Sequence, residues 1–375
     1  MLVSGRLEAY KDGLNCYESK VIHMRPLEAH INLANLRHNF QYLKSKHGNK
    51  TLAVIKANAY GHGSVQCANA LADLADGFAV ACIEEALTLR EAGVSLPIVL
   101  LEGVFEASEY ALIEQHDLWP VVQNEAQLQA LLATDIKKPL TVWLKMDSGM
   151  HRAGFFPQDY AAAFKRLQAA TQVAKIVKMT HFARADEPSV GMTEMQIAAF
   201  DAGCEGCEGE ASMSNSAGIL DFPAAHRDWG RAGLALYGLS PMPEADAHLK
   251  PVMTFKTKVF GVRELAAGEV IGYGSIFKTE KPTRVGLIAV GYADGYPRLA
   301  SNDSPITIDG KPSRIIGRVS MDMTMVELND ASQGIGSEVE LWGEHVSANA
   351  VAAVAGTISY ELLCNVKRAR FVYHE

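Results

Sequence analysis

LAVIKANAYGHG, Leu52 to Gly63, decides how the rest of the chain is read. Four of its first five residues are apolar, as in a buried strand. The run then stops on Lys56 and enters a turn containing Tyr60, Gly61, His62 and Gly63. Lysine is rarely fully buried without a partner. An amine at the tip of a core strand therefore needs a chemical reason.

Downstream, a short apolar run followed by a helical pattern recurs to about residue 235. Further strands are expected at GFAVA (77–81), PIVLL (97–101), LWPVV (118–122), LTVWLKM (140–146), AKIVKMTHF (174–182) and ASMSN (211–215), with a last one near GLALYG (233–238). Amphipathic stretches rich in Ala, Leu and Glu lie between them, at 64–75, 84–92, 124–134, 158–170 and 192–202. Strands alternating with helices pair in parallel through crossover helices. The number and span of the repeats predict an α/β fold built on an N-terminal (β/α)8 TIM-type barrel, with a doubly wound open sheet as the rival. After SPMPEADAH (240–248) the texture changes to MTFKTKVFGVREL, TRVGLIAVGYADGYPR, SPITIDG, MTMVEL and EVELWG, strands joined by Gly and Pro turns. The expected organisation is an N-terminal extension (1–23), a β/α barrel (24–242) and a C-terminal mostly-β domain (243–375).

With 375 residues, 48% hydrophobic and 21% charged, the chain is long enough for a large core and two domains. A net charge of −8 and a pI of about 5.9 give no basic field for phosphate backbones or an anionic membrane surface. No nucleic-acid partner is expected. No segment is apolar for long enough to span a bilayer, and MLVSGRLEAYKDGLNCYESKVIH lacks the continuous apolar core of a signal peptide. Cys16, Cys67, Cys82, Cys204, Cys207 and Cys364 are scattered without a disulfide framework, which fits reduced thiols in a cytoplasm. CEGCEGE (204–210) holds a single CxxC with no second ligand pair and reads as a polar loop, so no metal is expected.

In such a barrel, chemistry collects at the C-terminal ends of the strands. Lys56 ends the first run. Lys145, Asp147, His151 and Arg152 lie at or after the end of the fifth in LKMDSGMHRAG, and His181 closes the sixth in KMTHF. Asn215 and Ser216 follow the seventh in SMSNSAG, and Arg231 stands before or within the eighth. The same kind of position recurring on four strands points to one pocket. Burial disfavours the charged form of lysine and brings its pKa towards about 7–8 at catalytic positions, where the amine acts as nucleophile or base. Pyridoxal phosphate uses both properties: its aldehyde forms a Schiff base with lysine, and its ring stores the charge of a carbanion. NSAG, Asn215 to Gly218, offers a hydroxyl and closely spaced N–H groups at an expected helix start, which suits the phosphate. Neither motif is specific alone, since NSAG is common turn chemistry and a strand-ending lysine is usually a solvated cap.

AVIKANAYGHG also resembles the cofactor-lysine segment of the alanine racemases. KMDSGMHRAG, THFARAD, SNSAG, RAGLALYG, VIGYGSIF, AVGYADGYPR, GRVSMDMTMVEL and TISYELLC resemble further segments of that family, in the same order, from about Met24 to the C-terminus. The resemblance implies a homodimer with shared active sites, pyridoxal 5′-phosphate as cofactor and alanine as substrate. It makes Lys56 the Schiff-base lysine and one catalytic base, and Tyr273 of the partner subunit the other. Racemisation needs both, because a planar carbanion loses a proton on one face and gains one on the other. By its local sequence alone, Tyr273 would be a β-turn tyrosine. In the family Arg231 contacts the pyridine nitrogen; arginine cannot readily supply a proton, so the ring should be a weaker electron sink and side reactions such as transamination limited.

The resemblance sets His181 against or beside the cofactor ring, and has Arg152 orient the phenolic oxygen and help hold the substrate carboxylate. Tyr60, Ser216, the backbone at Gly233 and Leu234, and Tyr360 are implied to hold the phosphate, with Asn215 among the cofactor-binding residues. Lys145 matches a position carbamylated in some members, which would turn a cation into an anion able to pair with Arg152. Tyr292, and Met321 with Asp322, resemble segments of the second subunit that line the entrance and substrate pocket, where tyrosine walls favour a small side chain. His62 beside two glycines reads as a loop-orienting residue rather than a base.

The expected function is interconversion of L- and D-alanine, supplying D-alanine for peptidoglycan or supporting alanine catabolism. A racemase of larger amino acids, a related barrel decarboxylase and a cofactor carrier without catalysis are the alternatives. Arg231 argues against the decarboxylase, which gains from a protonated ring. The long β tail carrying Tyr273 and Tyr292 argues against the carrier.

Overall fold

A computed structural model describes residues 25–375; the expected extension (1–23) lies outside the described residues. Eight parallel strands form a barrel-like sheet in which Trp229–Ala232 lies beside Lys50–Val54 and the others follow in chain order: Gly77–Val80, Ile98–Leu100, Leu118–Val122, Leu140–Lys145, Val173–Met179 and Ala211–Ser212. Most of their apolar runs are continuous because helices cover the outside while the interior is packed, so neither face meets water; Val173–Met179, with Lys175 and Lys178 and an exposed Ala174, is the less covered strand. Leu52, Ala53 and Val54 are buried in succession, as are Phe78, Ala79 and Val80. Bonds from Ser212 Oγ to the Trp229 carbonyl (2.8 Å) and from the Arg231 N–H to the Ser214 carbonyl (3.0 Å) link the two end strands.

The expected crossover helices lie at Ser64–Leu71, Ile83–Glu91, Glu125–Ala133, Pro157–Gln168 and Met192–Gly203. Others were not singled out from the sequence, the longest being Leu33–His47. Asn32 caps its N-terminus by accepting from the Asn35 N–H, and Gly48, at φ 79°, ends it in the left-handed region. Its Leu36, Phe40 and Leu43 are buried at helical spacing.

One strand expectation is corrected. GLALYG (233–238) is not the last strand; Trp229–Ala232 is, and Leu234–Tyr237 forms a 3-10 turn. A short apolar run does not reveal its period, and Leu234 to Tyr237 are all buried, as they would be in a strand. Arg231 consequently lies within the last barrel strand.

The second sheet is centred on Met253–Leu265, which pairs antiparallel with Thr283–Ile288, Glu338–Trp342 and Glu28–Asn32. Glu28–Asn32, grouped with the barrel in the sequence reading, thus pairs in the C-terminal sheet, where it also runs parallel to Arg370–His374. Its residues alternate, with Ala29 and Ile31 buried and Glu28 and His30 half-buried, the pattern of a strand with one covered face. Two helices in the tail, Ala348–Ala355 and Ser359–Asn365, interrupt the β texture. The second returns to the barrel mouth, carrying Tyr360 and Cys364 to the cavity described below. Among the described residues, no helix is long and apolar enough to cross a membrane.

Candidate active site

A cavity of about 670 Å³ opens above the C-terminal ends of the barrel strands. Lys56, Tyr60, Lys145, Arg152, His181, Asn215, Ser216, Arg231, Gly233, Leu234 and Tyr360 all line it.

Lys56 is held in a way the sequence did not suggest. The first strand ends at Val54, and Lys56 opens a single turn, Lys56–Tyr60. Ala57, Asn58, Ala59 and Tyr60 have φ of 51°, 53°, 55° and 51°, so the turn is left-handed. Each such residue costs about 1–2 kcal/mol, and the surroundings must hold them. Glu85 accepts from the Ala57 N–H (2.6 Å) and the Ala81 N–H (2.8 Å), tying the turn to the end of the second strand. The Asn58 side chain accepts from the Ser64 N–H at 2.9 Å. Gly61, at φ 81°, lets the turn meet the Tyr360 helix: a Cβ there would lie 2.2 Å from the Leu363 carbonyl oxygen.

Arg231 is only 3% exposed. Its Nη1 donates to Ser212 Oγ (2.7 Å), and its Nη2 to the carbonyls of Thr180 (2.8 Å) and Met213 (3.2 Å). Nη2 also lies 3.2 Å from His181 Nδ1. A guanidinium only donates, so Nδ1 accepts, and the neutral imidazole carries its proton on Nε2. Burial alone brings the Arg231 pKa down to about 10. Burial, then Arg231, Arg152, Lys145 and Lys56, hold His181 well below the usual histidine range.

Lys145, at the end of its strand, is brought down to about 8 by burial and by Arg152, Arg231 and Lys56, with Asp147 opposing. Asp147 Oδ1 accepts from the N–H groups of Gly149 and His151, which shapes the loop leading to Arg152.

At the other side, Asn215 spends its side chain capping the helix Ser216–Asp221, accepting from the Gly218 N–H. Ser216 Oγ accepts from the N–H groups of Gly233 (2.9 Å) and Ala235 (3.2 Å). At Gly233 a Cβ would lie 3.1 Å from the Tyr60 hydroxyl, so the glycine gives that hydroxyl its room. The ring of Tyr360 stands 5.9 Å from that of Tyr60.

Tyr273, Tyr292, Met321 and Asp322 do not line this cavity. They sit on the β domain, where Tyr273 is 69% and Met321 53% exposed. Tyr273 occupies a 3-10 turn between Gly272 and Gly274, both in the left-handed region, and Gly272 packs against Arg318 and Met325. The N–H groups of Tyr292 and Ala293 donate to the carbonyls of Ser320 and Met321. Asp322 pairs with Arg368 at 2.9 Å, and fully buried Asp294 is held by Arg25 through both oxygens, at 2.5 and 2.6 Å.

Sequence reading missed Glu85, Thr180 and Ser212, whose roles are to hold other groups, and Cys364, a cavity-lining residue on a helix not expected in the β tail. Only the position of Glu85, just past the end of the second strand, was a usable signal.

The family description "Alanine racemase, N-terminal domain" matches residues 31–241, and "Alanine racemase, C-terminal domain" matches 252–373. An alanine racemase of Neisseria meningitidis is 62% identical over 352 residues, covering 94% of this chain and 100% of that protein. The crystal structure of the biosynthetic alanine racemase from Pseudomonas aeruginosa superposes with a TM-score of 0.91 at 44% identity, over 94% of this chain and 100% of that one. The alanine racemase of Bartonella henselae, solved with covalently bound pyridoxal phosphate, gives 0.86 at 29% identity, over 93% and 99%. With both domains matched and the barrel, the β domain and their order shared along almost the whole length, this chain belongs to the alanine racemase family and is an amino-acid racemase.

Proposed function

We propose that this enzyme interconverts L- and D-alanine with pyridoxal 5′-phosphate held on Lys56, and that two protein groups on opposite faces of the site move the α-proton. The observation that carries the reading is the charge of the cavity. Lys56, Lys145, Arg152 and Arg231 converge on it against one lining carboxylate, Glu102, and Arg231 is buried against hydroxyl and carbonyl oxygens without a carboxylate partner among the described residues. Such a cavity suits an anionic, planar occupant.

The donor set fits the cofactor. Ser216 Oγ is already an acceptor for two N–H groups, which leaves its own proton free to donate. Leu234 opens its 3-10 turn with an N–H that has no intrahelical acceptor. With the Tyr60 and Tyr360 hydroxyls and the backbone at Gly233, these groups would hold the phosphate, with Asn215 shaping the loop. Arg231 would hold the ring nitrogen without protonating it, and His181 would stand beside the ring as a neutral imidazole. Bound there, the cofactor would delocalise the negative charge left when an α-proton is removed.

Lys56 would take or return that proton at Nζ on one face, and Tyr273 of the partner subunit would do so at its hydroxyl on the other. Arg152 would orient the substrate carboxylate. Tyr273, Ile276, Tyr292, Met321 and Met323 are all exposed large apolar side chains on the β domain, which supports burial against a second copy. Lys145, pushed towards its neutral form, suits carbamylation and pairing with Arg152. Domain limits near 242 and 243 follow the notion that the barrel binds the cofactor and the β domain serves the partner. Both D-alanine supply for peptidoglycan and alanine catabolism use this interconversion.

The test is spectroscopic. The purified protein should show a visible band that borohydride abolishes, and peptide mapping should find the reduced adduct on Lys56. The same preparation should destroy the optical activity of L-alanine. Protein that stays colourless after incubation with pyridoxal 5′-phosphate would overturn the reading.

A further inference from the structure

His62, behind the lysine turn, has no part in the scheme above. It has no exposed surface, and its Nδ1 lies 3.0 Å from the carbonyl oxygens of both Ala59 and Tyr60. Carbonyls only accept, so Nδ1 carries the proton. Nε2 is then a buried lone pair, to which no described group donates. Burial lowers the pKa of the ring to about 4, so the ring is uncharged across the neutral range, with its one proton on Nδ1. The ring stacks on Tyr237 at 4.5 Å, and Tyr237 packs on Tyr60 at 4.8 Å. The Tyr237 hydroxyl in turn donates to the Val54 carbonyl at the end of the first barrel strand.

A buried nitrogen without a partner is a loss that an apolar ring of similar shape would avoid. Packing alone therefore gives no reason for an imidazole. What it supplies, and phenylalanine does not, is one rigid donor shared by two carbonyls of the left-handed turn. That turn has Lys56 at one end and Tyr60 at the other, and both line the cavity. Glu85 fixes the Lys56 end through the Ala57 N–H. The imidazole of His62 fixes the Tyr60 end, where φ is 55° at Ala59 and 51° at Tyr60, together with the His62 N–H, which donates to the Ala59 carbonyl at 3.0 Å; the Tyr60 carbonyl is reached by the ring. If that end relaxed to the right-handed basin, the Tyr60 side chain would leave its direction relative to Lys56.

We propose that His62 is a positioning residue for cofactor attachment, its Nδ1–H holding the Ala59 and Tyr60 carbonyls so that the Lys56 amine and the Tyr60 hydroxyl keep a fixed relation across the cavity. The inference rests on the reading that Lys56 carries pyridoxal 5′-phosphate.

Two substitutions separate the donor from the ring. His62→Phe keeps the stacking surface and removes the donor; His62→Asn keeps an N–H near the position of Nδ1 and removes the ring. Each apoprotein is mixed with pyridoxal 5′-phosphate at a temperature where circular dichroism shows it folded. The readouts are the rate of covalent attachment, the borohydride-fixed adduct on Lys56, and competition by inorganic phosphate. His62→Phe should attach the cofactor about 10- to 100-fold more slowly and bind phosphate more weakly, while His62→Asn should stay within about threefold of the parent. Attachment by His62→Phe at the parent rate, or equal impairment of both variants, would assign the ring to packing and overturn the proposal. If His62→Phe does not fold, His62→Gln takes its place with the same expectation, because its amide is displaced from the position of Nδ1. The parent enzyme is run first, and absence of an adduct on Lys56 there would sink the cofactor reading itself rather than the role of His62.

Discussion

Replacing Gly61 by alanine tests how the lysine turn is held against the helix that carries Tyr360. The new Cβ would stand 2.2 Å from the Leu363 carbonyl oxygen and 3.0 Å from its carbon, where ordinary contact begins near 3.4 Å. The helix Ser359–Asn365 must therefore retreat by more than about 1 Å, or the turn must open. Alanine at φ 81° adds about 1–2 kcal/mol of left-handed strain, offset by about 0.4–1 kcal/mol from the stiffer unfolded chain. Overpacking against a carbonyl adds about 1–3 kcal/mol. The sum is about 1–5 kcal/mol, or several degrees in thermal midpoint at about 1–2 °C per kcal/mol for a chain this long. Displacing Tyr360 by that distance should lower kcat/KM for alanine by about 10- to 100-fold. Gly48→Ala is the control: Gly48 has φ 79°, but nothing lies within 4 Å of its Cβ position, so it isolates the strain and should leave kcat/KM unchanged. If Gly61→Ala matched Gly48→Ala in midpoint and kept kcat/KM within about twofold, the turn and helix would not be coupled as described.

Tyr273→Phe should abolish racemisation while the cofactor remains attached to Lys56; undiminished α-proton exchange in both directions would remove Tyr273 from the mechanism. Arg25→Met leaves fully buried Asp294 with a weaker partner, Arg368 at 3.5 Å, and should destabilise the fold by about 3 kcal/mol, because Arg25 is itself partly exposed. A urea midpoint unchanged from the parent would show that the pair contributes nothing. In protein whose Lys145 is not carbamylated, the amine releases its proton near pH 8 in the folded chain against 10.5 in the reference state, so between these values the unfolded chain binds more protons and stability rises with pH. Below pH 8 the penalty is fully present. Lys145→Met should therefore be the more stable protein at pH 7, with a margin that shrinks above pH 8; parallel stability curves for the two proteins would refute the burial argument.

The barrel was legible because parallel strands covered on both faces write themselves mostly as unbroken apolar runs, such as GFAVA and PIVLL, and seven of the eight were located, including the less covered Val173–Met179. The eighth was misplaced onto GLALYG because four buried apolar residues fit a strand and a 3-10 turn equally well. Glu28–Asn32 went unmarked for a different reason: its pairing with residues 253–256 and 370–374 is set by contacts more than 200 positions away, and its alternation is only five residues long. For the site, strand-end position was enough to gather Lys56, Lys145, His181, Asn215 and Arg231 at one cavity, because a barrel converts that position into proximity. It could not disclose that Lys56 begins a left-handed turn. KANAY contains no glycine, and its conformation is held by Glu85 and His62; the glycines around His62 and the strand-end position of Glu85 marked a loop but not its hand. The groups that bear the chemistry are thus readable from where they fall along the strands. The groups that hold them are readable only once the chain has closed, because their partners are carbonyls and N–H groups, which every residue carries alike.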